Sequence, residues 1–226
     1  MLTTKQLKTM LDMQNKMNKT IHPEWFKQDW NYYRASYLEA AEAVEHHGWK
    51  WWKAQKKDLP QLQMELIDIW HFYLSRFLQA NCGDENLALQ SIEISIKSQI
   101  DTVNFDNHSY NVNTLSTLEK LDLLIGLNAS QRIEFKLFFA LMKDCELTFS
   151  DLNKQYVMKN ILNIFRQKNG YKEGTYHKTW FDAEDNVTLV HESSLLNSND
   201  DDYADKLWNN LEQKYQESLI FLANKK

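Results

Sequence analysis

Five glycines and two prolines are spread over 226 residues, where average usage would put about 12% of a chain in those two types. A β-sandwich or barrel reverses direction at Gly/Pro-rich turns every 8–12 residues or roughly so, and this chain lacks the residues to do it. A Gly-rich phosphate loop is excluded as well, because Gly48, Gly83, Gly126, Gly170 and Gly174 include no GxGxxG or Walker spacing. What remains is an all-α chain: a bundle of about seven to nine helices joined by polar loops. The length fits one domain over 1–226, with a core at about 10–180 and a C-terminal helix at about 202–224.

Apolar periodicity places the helices. Leu7, Met10, Leu11 and Met17 recur at helical spacing within 3–20, and a second helix over 30–47 stops at Gly48. Further helices are predicted over 61–81, 86–103, 115–127, 130–145 and 150–166, and Leu207, Leu211, Tyr215 and Leu219 mark the last one. Residues 104–114 read as a loop. Residues 167–200 have no clear period and read as a long ordered loop or small hairpin, with Val187 to Val190 the one hint of strand alternation. The run Asn199-Asp200-Asp201-Asp202 reads as an N-cap and first-turn acids.

The chain carries 26 basic and 31 acidic side chains, a net charge of −5, which argues against a generic nucleic-acid binder. Two cysteines, Cys82 and Cys145, make neither a disulfide framework nor a zinc site. They read as reduced thiols. No stretch approaches the ~20 apolar residues of a membrane span, and Met1 to Thr20 has no apolar run suited to a signal peptide. The expectation is a cytoplasmic protein with no membrane partner.

The informative motifs are Glu39-x-x-Glu42 and Glu65-x-x-Asp68. Residues three apart on a helix project from nearly the same side, so each helix presents two carboxylates together. Their neighbours are apolar: Leu38, Ala40, Ala41, Ala43 and Val44 on one helix, Leu66, Ile67, Ile69 and Trp70 on the other. A connection of about a dozen residues lets the two helices lie antiparallel. Clustered carboxylates repel in a low dielectric unless a cation sits among them. Mg²⁺ favours a few carboxylates plus substrate phosphates, so the pattern fits a Mg²⁺ site for a phosphorylated ligand. Composition and spacing leave open the other reading, in which these acids face solvent on a non-enzymatic helical interaction module.

The same segments resemble a family. Glu39-Ala-Ala-Glu42, Gly48-Trp49-Lys50-Trp51-Trp52-Lys53 and Glu65-Leu66-Ile67-Asp68-Ile69-Trp70-His71-Phe72 are similar to the dimeric all-α dUTP diphosphatases of the MazG-like nucleotide pyrophosphohydrolases. Leu11 to Asn18 resembles the N-terminal motif of that family, and Leu162 to Tyr176 its phosphate-binding motif, so the likeness runs over 11–180. Asn15 departs from the Gln of some members.

The resemblance implies an all-α MazG-like architecture and hydrolysis of dUTP, and of dUDP, to dUMP. It implies Glu39, Glu42, Glu65 and Asp68 as catalytic ligands of Mg²⁺, or Mn²⁺, with Glu39 taking the proton of the attacking water. It also implies Gln14, Asn18, Trp51, His71 and Phe72 around base and sugar. Asn163, Arg166, Tyr171 and Lys172 would hold the phosphate chain, with Lys53, Lys159 and Lys178 outside them. A C2 homodimer follows from the same likeness. The alternative within the superfamily is a broader dCTPase-dUTPase, or another dNTP pyrophosphatase. Outside these roles, His46 and His47 read as cations complementing a helix C-terminus, and Trp49 and Trp52 as core.

Overall fold

The computed structural model describes residues 2–98, 101–197 and 202–224. Nine α-helices are present among them: α1 Thr4–Ile21, α2 Tyr32–His47, α3 Leu59–Ala80, α4 Glu85–Ser98, α5 Thr117–Ala129, α6 Phe135–Asp144, α7 Phe149–Lys168, α8 Asp185–Ser194 and α9 Tyr203–Asn224. Two antiparallel hairpins interrupt them, β1 Thr102–Phe105 with β2 His108–Asn111, and β3 Thr179–Trp180 with β4 Ala183–Glu184. The all-α reading holds. No described helix is long and apolar enough to cross a membrane.

The chain divides into two compact units, Met1–Asn15 with Glu24–Asn153, and Lys16–Pro23 with Lys154–Lys226. In the first, α2 packs on α3 and α5, α3 on α4, and α5 on α6. Helix α3 is apolar almost all round, and twelve of its residues are buried, Glu65 and His71 among them. Trp70 is fully buried, stacks on Phe138 at 5.6 Å and donates its indole N–H to Met10 Sδ at 3.2 Å. Gly48 ends α2 at φ +81°, in the left-handed region that other residues rarely adopt, and its N–H reaches back to Glu45 O. Asp58 caps α3 by accepting from Gln61 N–H, and Pro60 fills the first turn, where no N–H is needed. Ser116 and Glu119 form a reciprocal capping box at the start of α5.

In the second unit, α9 packs on α8 and β3. Its core is aromatic: Phe165 meets Trp208 at 5.1 Å and Tyr215 at 5.6 Å, and Tyr176 stacks on Tyr215 at 5.1 Å.

Three expectations are corrected. Helix α4 is described as far as Ser98, residues 99 and 100 lie outside the described residues, and part of the segment read as helix end and loop forms the β1–β2 hairpin. Asp106 and Asn107 turn it with φ +49° and +60°, a conformation Asn and Asp tolerate without glycine. Within the stretch read as a long ordered loop or small hairpin, β3 and β4 form such a hairpin, but helix α8 follows it, so Val187 and Val190 are helical and exposed. Its inward residues Asp185, Leu189, Glu192 and Ser193 are mostly polar, which hides the period from an apolar count. Of the acidic run before α9, residues 198–201 lie outside the described residues; Asp202 pairs with Lys206 at 2.9 Å.

Candidate active site

Helices α2 and α3 run antiparallel, since Tyr32 meets Phe72 across them at one end and His46 meets Glu65 at the other. That pairing brings three of the four predicted carboxylates together. Single oxygens of Glu39, Glu42 and Glu65 all lie within 4.8 Å of one another. Glu65 is buried, Glu39 half-buried and Glu42 exposed, so the group grades from the interior to solvent. Asp68, half-buried one turn along α3, is not part of this three-membered group. Three acceptor-only carboxylates at this spacing are an oxygen donor set of the kind a hard divalent cation takes.

The loop between the helices carries the Trp/Lys motif, and here the core reading of two tryptophans fails. Trp52 is 58% exposed, Trp51 is 85% exposed and Trp49 is half-buried. The three rings pack edge to face on one another, Trp51 against Trp52 at 4.6 Å and Trp49 against Trp52 at 5.1 Å. They sit on a loop and not on a helix face. Glu45 anchors the base of this loop, accepting from Trp49 Nε1 at 2.8 Å and Lys50 Nζ at 2.6 Å. Those two donors hold its carboxyl below the usual range. Lys53 is exposed on the same loop.

The predicted base residues are placed by α1 and α3. Gln14 is buried, donates Nε2–H to Ser75 Oγ at 2.9 Å and faces His71 Nδ1 with Oε1 at 2.7 Å. An amide oxygen only accepts, so His71 carries a hydrogen on Nδ1. Phe72 is half-buried, and Asn18 is buried. Asn15 is taken up structurally: its oxygen accepts from Trp25 Nε1 at 3.0 Å, and its amide donates to Gly83 O and Glu85 Oε1.

The predicted phosphate residues of the second unit are engaged within it. Lys159 Nζ donates to Asn186 Oδ1 at 3.1 Å, Lys172 Nζ to Ile21 O at 2.9 Å, and Lys178 pairs with Glu184 at 3.2 Å. Arg166 donates to Asp185 through Nε and Nη2 and to Asn163 Oδ1 through Nη1 at 3.2 Å. Tyr171 is exposed, with the Arg166 guanidinium 5.9 Å from its ring.

Sequence reasoning missed His46, Ser75, Asp185 and Asn186. His46 was assigned to the helix dipole, yet its Nε2 lies 3.4 Å from Glu65 Oε1. Its place four residues after Glu42, one turn along the same helix face, was the available signal. Asp185 and Asn186 had none, being 19 and 20 residues from Arg166 in the least periodic stretch.

A family model described as dUTPase matches residues 6–171. The match takes in the carboxylate motifs, the Trp/Lys loop and the chain through Arg166 and Tyr171; it stops short of the 180 reached by the sequence reading and leaves Lys172 and Lys178 outside. No curated protein matches the chain.

Proposed function

This chain belongs to the dUTPase family, and from that premise we propose that Glu39, Glu42 and Glu65, with Asp68 beside them, hold Mg²⁺, or Mn²⁺ in its place, for hydrolysis of dUTP to dUMP and pyrophosphate. Membership supports dUTP diphosphatase activity itself; the metal dependence, use of dUDP and the residue roles are the reading advanced here. The observation that carries it is the convergence of three carboxylates from two helices within 4.8 Å, one of them buried. Gathering like charges there is unfavourable unless a cation offsets them.

When bound, the ion would supply charge neutralisation at the phosphates and lower the pKa of a water. The remaining work falls to side chains. Glu39, half-buried, accepts the proton of the attacking water. His71, held by Gln14 at Nδ1, offers an acceptor at Nε2 when its ring is neutral, and that form suits the N3–H of uracil and disfavours cytosine, whose N3 is itself an acceptor. This favours the narrow dUTPase over the broader dCTPase-dUTPase. Phe72 and Trp51 offer aromatic faces to sugar and base. The phosphate-chain role of Lys53, Lys159, Asn163, Arg166, Tyr171, Lys172 and Lys178 rests on the family resemblance and on their charge and donor types. A C2 homodimer completes the reading. Leu87 and Ile94, seven apart on α4 and 50% and 67% exposed, are apolar surface such a contact would cover.

The test is pyrophosphate and phosphate release from dUTP, dUDP, dCTP and the other dNTPs, each with Mg²⁺, with Mn²⁺ and with chelator. Turnover of dUTP and dUDP that chelator abolishes supports the proposal. Metal-independent turnover removes the carboxylate role, and equal rates on dUTP and dCTP remove the His71 argument.

A further inference from the structure

We propose that His46 is a positioning residue for Glu65, holding that carboxylate in place for a divalent cation. The inference rests on the reading of Glu39, Glu42 and Glu65 as the cation's ligands. Glu65 is 7% exposed, and His46 Nε2 faces its Oε1 at 3.4 Å. With a hydrogen on Nε2 the imidazole is placed to direct it at that carboxylate.

Two backbone features set this approach. His46 lies in the last turn of α2, one turn beyond Glu42. Its carbonyl accepts from Asp58 N–H at 2.8 Å, and the Asp58 side chain caps α3. One backbone bond therefore closes the loop at its base and ties the end of α2 to the start of α3, with Glu65 about two turns further on. The imidazole spans the two helices and restrains a side chain that has three rotatable bonds. A hydrogen bond from outside the ligand set fixes the orientation of a ligating carboxylate, and losing one commonly costs about 10–100-fold in metal affinity. His47 does not share the role: its Nδ1 is buried with no hydrogen-bond partner among the described residues.

The experiment is Mn²⁺ titration of the full chain without nucleotide, following free Mn²⁺ by electron paramagnetic resonance, for wild type, His46→Ala, His46→Gln and Glu65→Gln. Glu65→Gln should lose most Mn²⁺ binding. His46→Ala should weaken it about tenfold or more, and His46→Gln, which keeps an N–H donor, should recover much of the loss. Melting temperature without metal should change little in either His46 variant. Should His46→Ala fail to fold, His46→Leu gives the same comparison with more of the bulk kept. Wild-type binding in His46→Ala beside a loss in Glu65→Gln overturns the positioning role and leaves the site standing. Equal losses in His46→Ala and His46→Gln also overturn it, since bulk and not the N–H would then matter. No loss in Glu65→Gln removes the carboxylate site and this inference with it.

Discussion

Arg166 grips Asp185 at two points, Nε donating to Oδ2 at 2.8 Å and Nη2 to Oδ1 at 2.7 Å, with Asp185 wholly buried. Tyr176 donates its hydroxyl to the same carboxylate at 2.7 Å, and burial, then Asp185 itself, pushes that phenol well above its ordinary range, so it stays a donor. Removing Asp185 takes a two-point carboxylate partner from a buried guanidinium, at a cost of about 3–5 kcal/mol. In urea denaturation Asp185→Ala is expected to lower the unfolding free energy accordingly, and Tyr176→Phe by about 1 kcal/mol. An Asp185→Ala protein as stable as wild type would mean the pair is not the tie it looks to be.

Gly170 follows α7 at φ +89°, and a methyl group there would meet Thr175 Oγ1 at 2.1 Å. Gly174 has φ +72° and open space. Gly174→Ala is expected to cost about 1–2 kcal/mol, the backbone strain alone. Gly170→Ala is expected to cost more, because Thr175 must also give up the hydrogen bond it donates to Gly170 O. Chemical denaturation of both variants checks the order; equal costs would contradict it.

Trp51, 85% exposed, contributes little to the core. Trp51→Ala is expected to change stability by less than about 0.5 kcal/mol while raising the KM for dUTP about tenfold, the worth of one stacked base. Quenching of tryptophan fluorescence on adding dUMP gives a second reading. An unchanged KM removes Trp51 from the substrate contacts.

Burial pushes the Cys145 thiol up to about 12, whereas Cys82 is exposed. The native protein is expected to titrate one thiol with a disulfide reagent near pH 8, and the unfolded chain two. The folded state favours the neutral thiol, so this stabilisation is complete below the ordinary value of 9.0 and is lost as pH rises from there towards 12. Cys145→Ala should flatten that part of the alkaline stability curve.

The helical class and the carboxylate pair were legible because both depend on spacing within a few residues. Glu39 and Glu42 share a helix face wherever that helix packs, and so do Glu65 and Asp68. Gly48 reads as a helix stop by the same local logic. The hairpin at 102–111 was hidden because its turn uses Asp106 and Asn107 in place of glycine. Helix α8 was hidden because Asp185, Glu192 and Ser193 occupy inward positions where apolar residues are looked for.

Sequence alone determined the class of fold, the two acidic motifs and, through their likeness to a family, the substrate. Local periodicity and short motifs carry that information, since neighbours three or four apart in a helix meet whatever the rest of the chain does. Tertiary structure decided which carboxylates actually converge, leaving Asp68 outside the closest group and bringing His46 to Glu65. It also decided that Trp51 and Trp52 of the loop face solvent and that Asp185 pairs with Arg166. These depend on the crossing of helices and on contacts between residues far apart in sequence, which no repeat in the chain records.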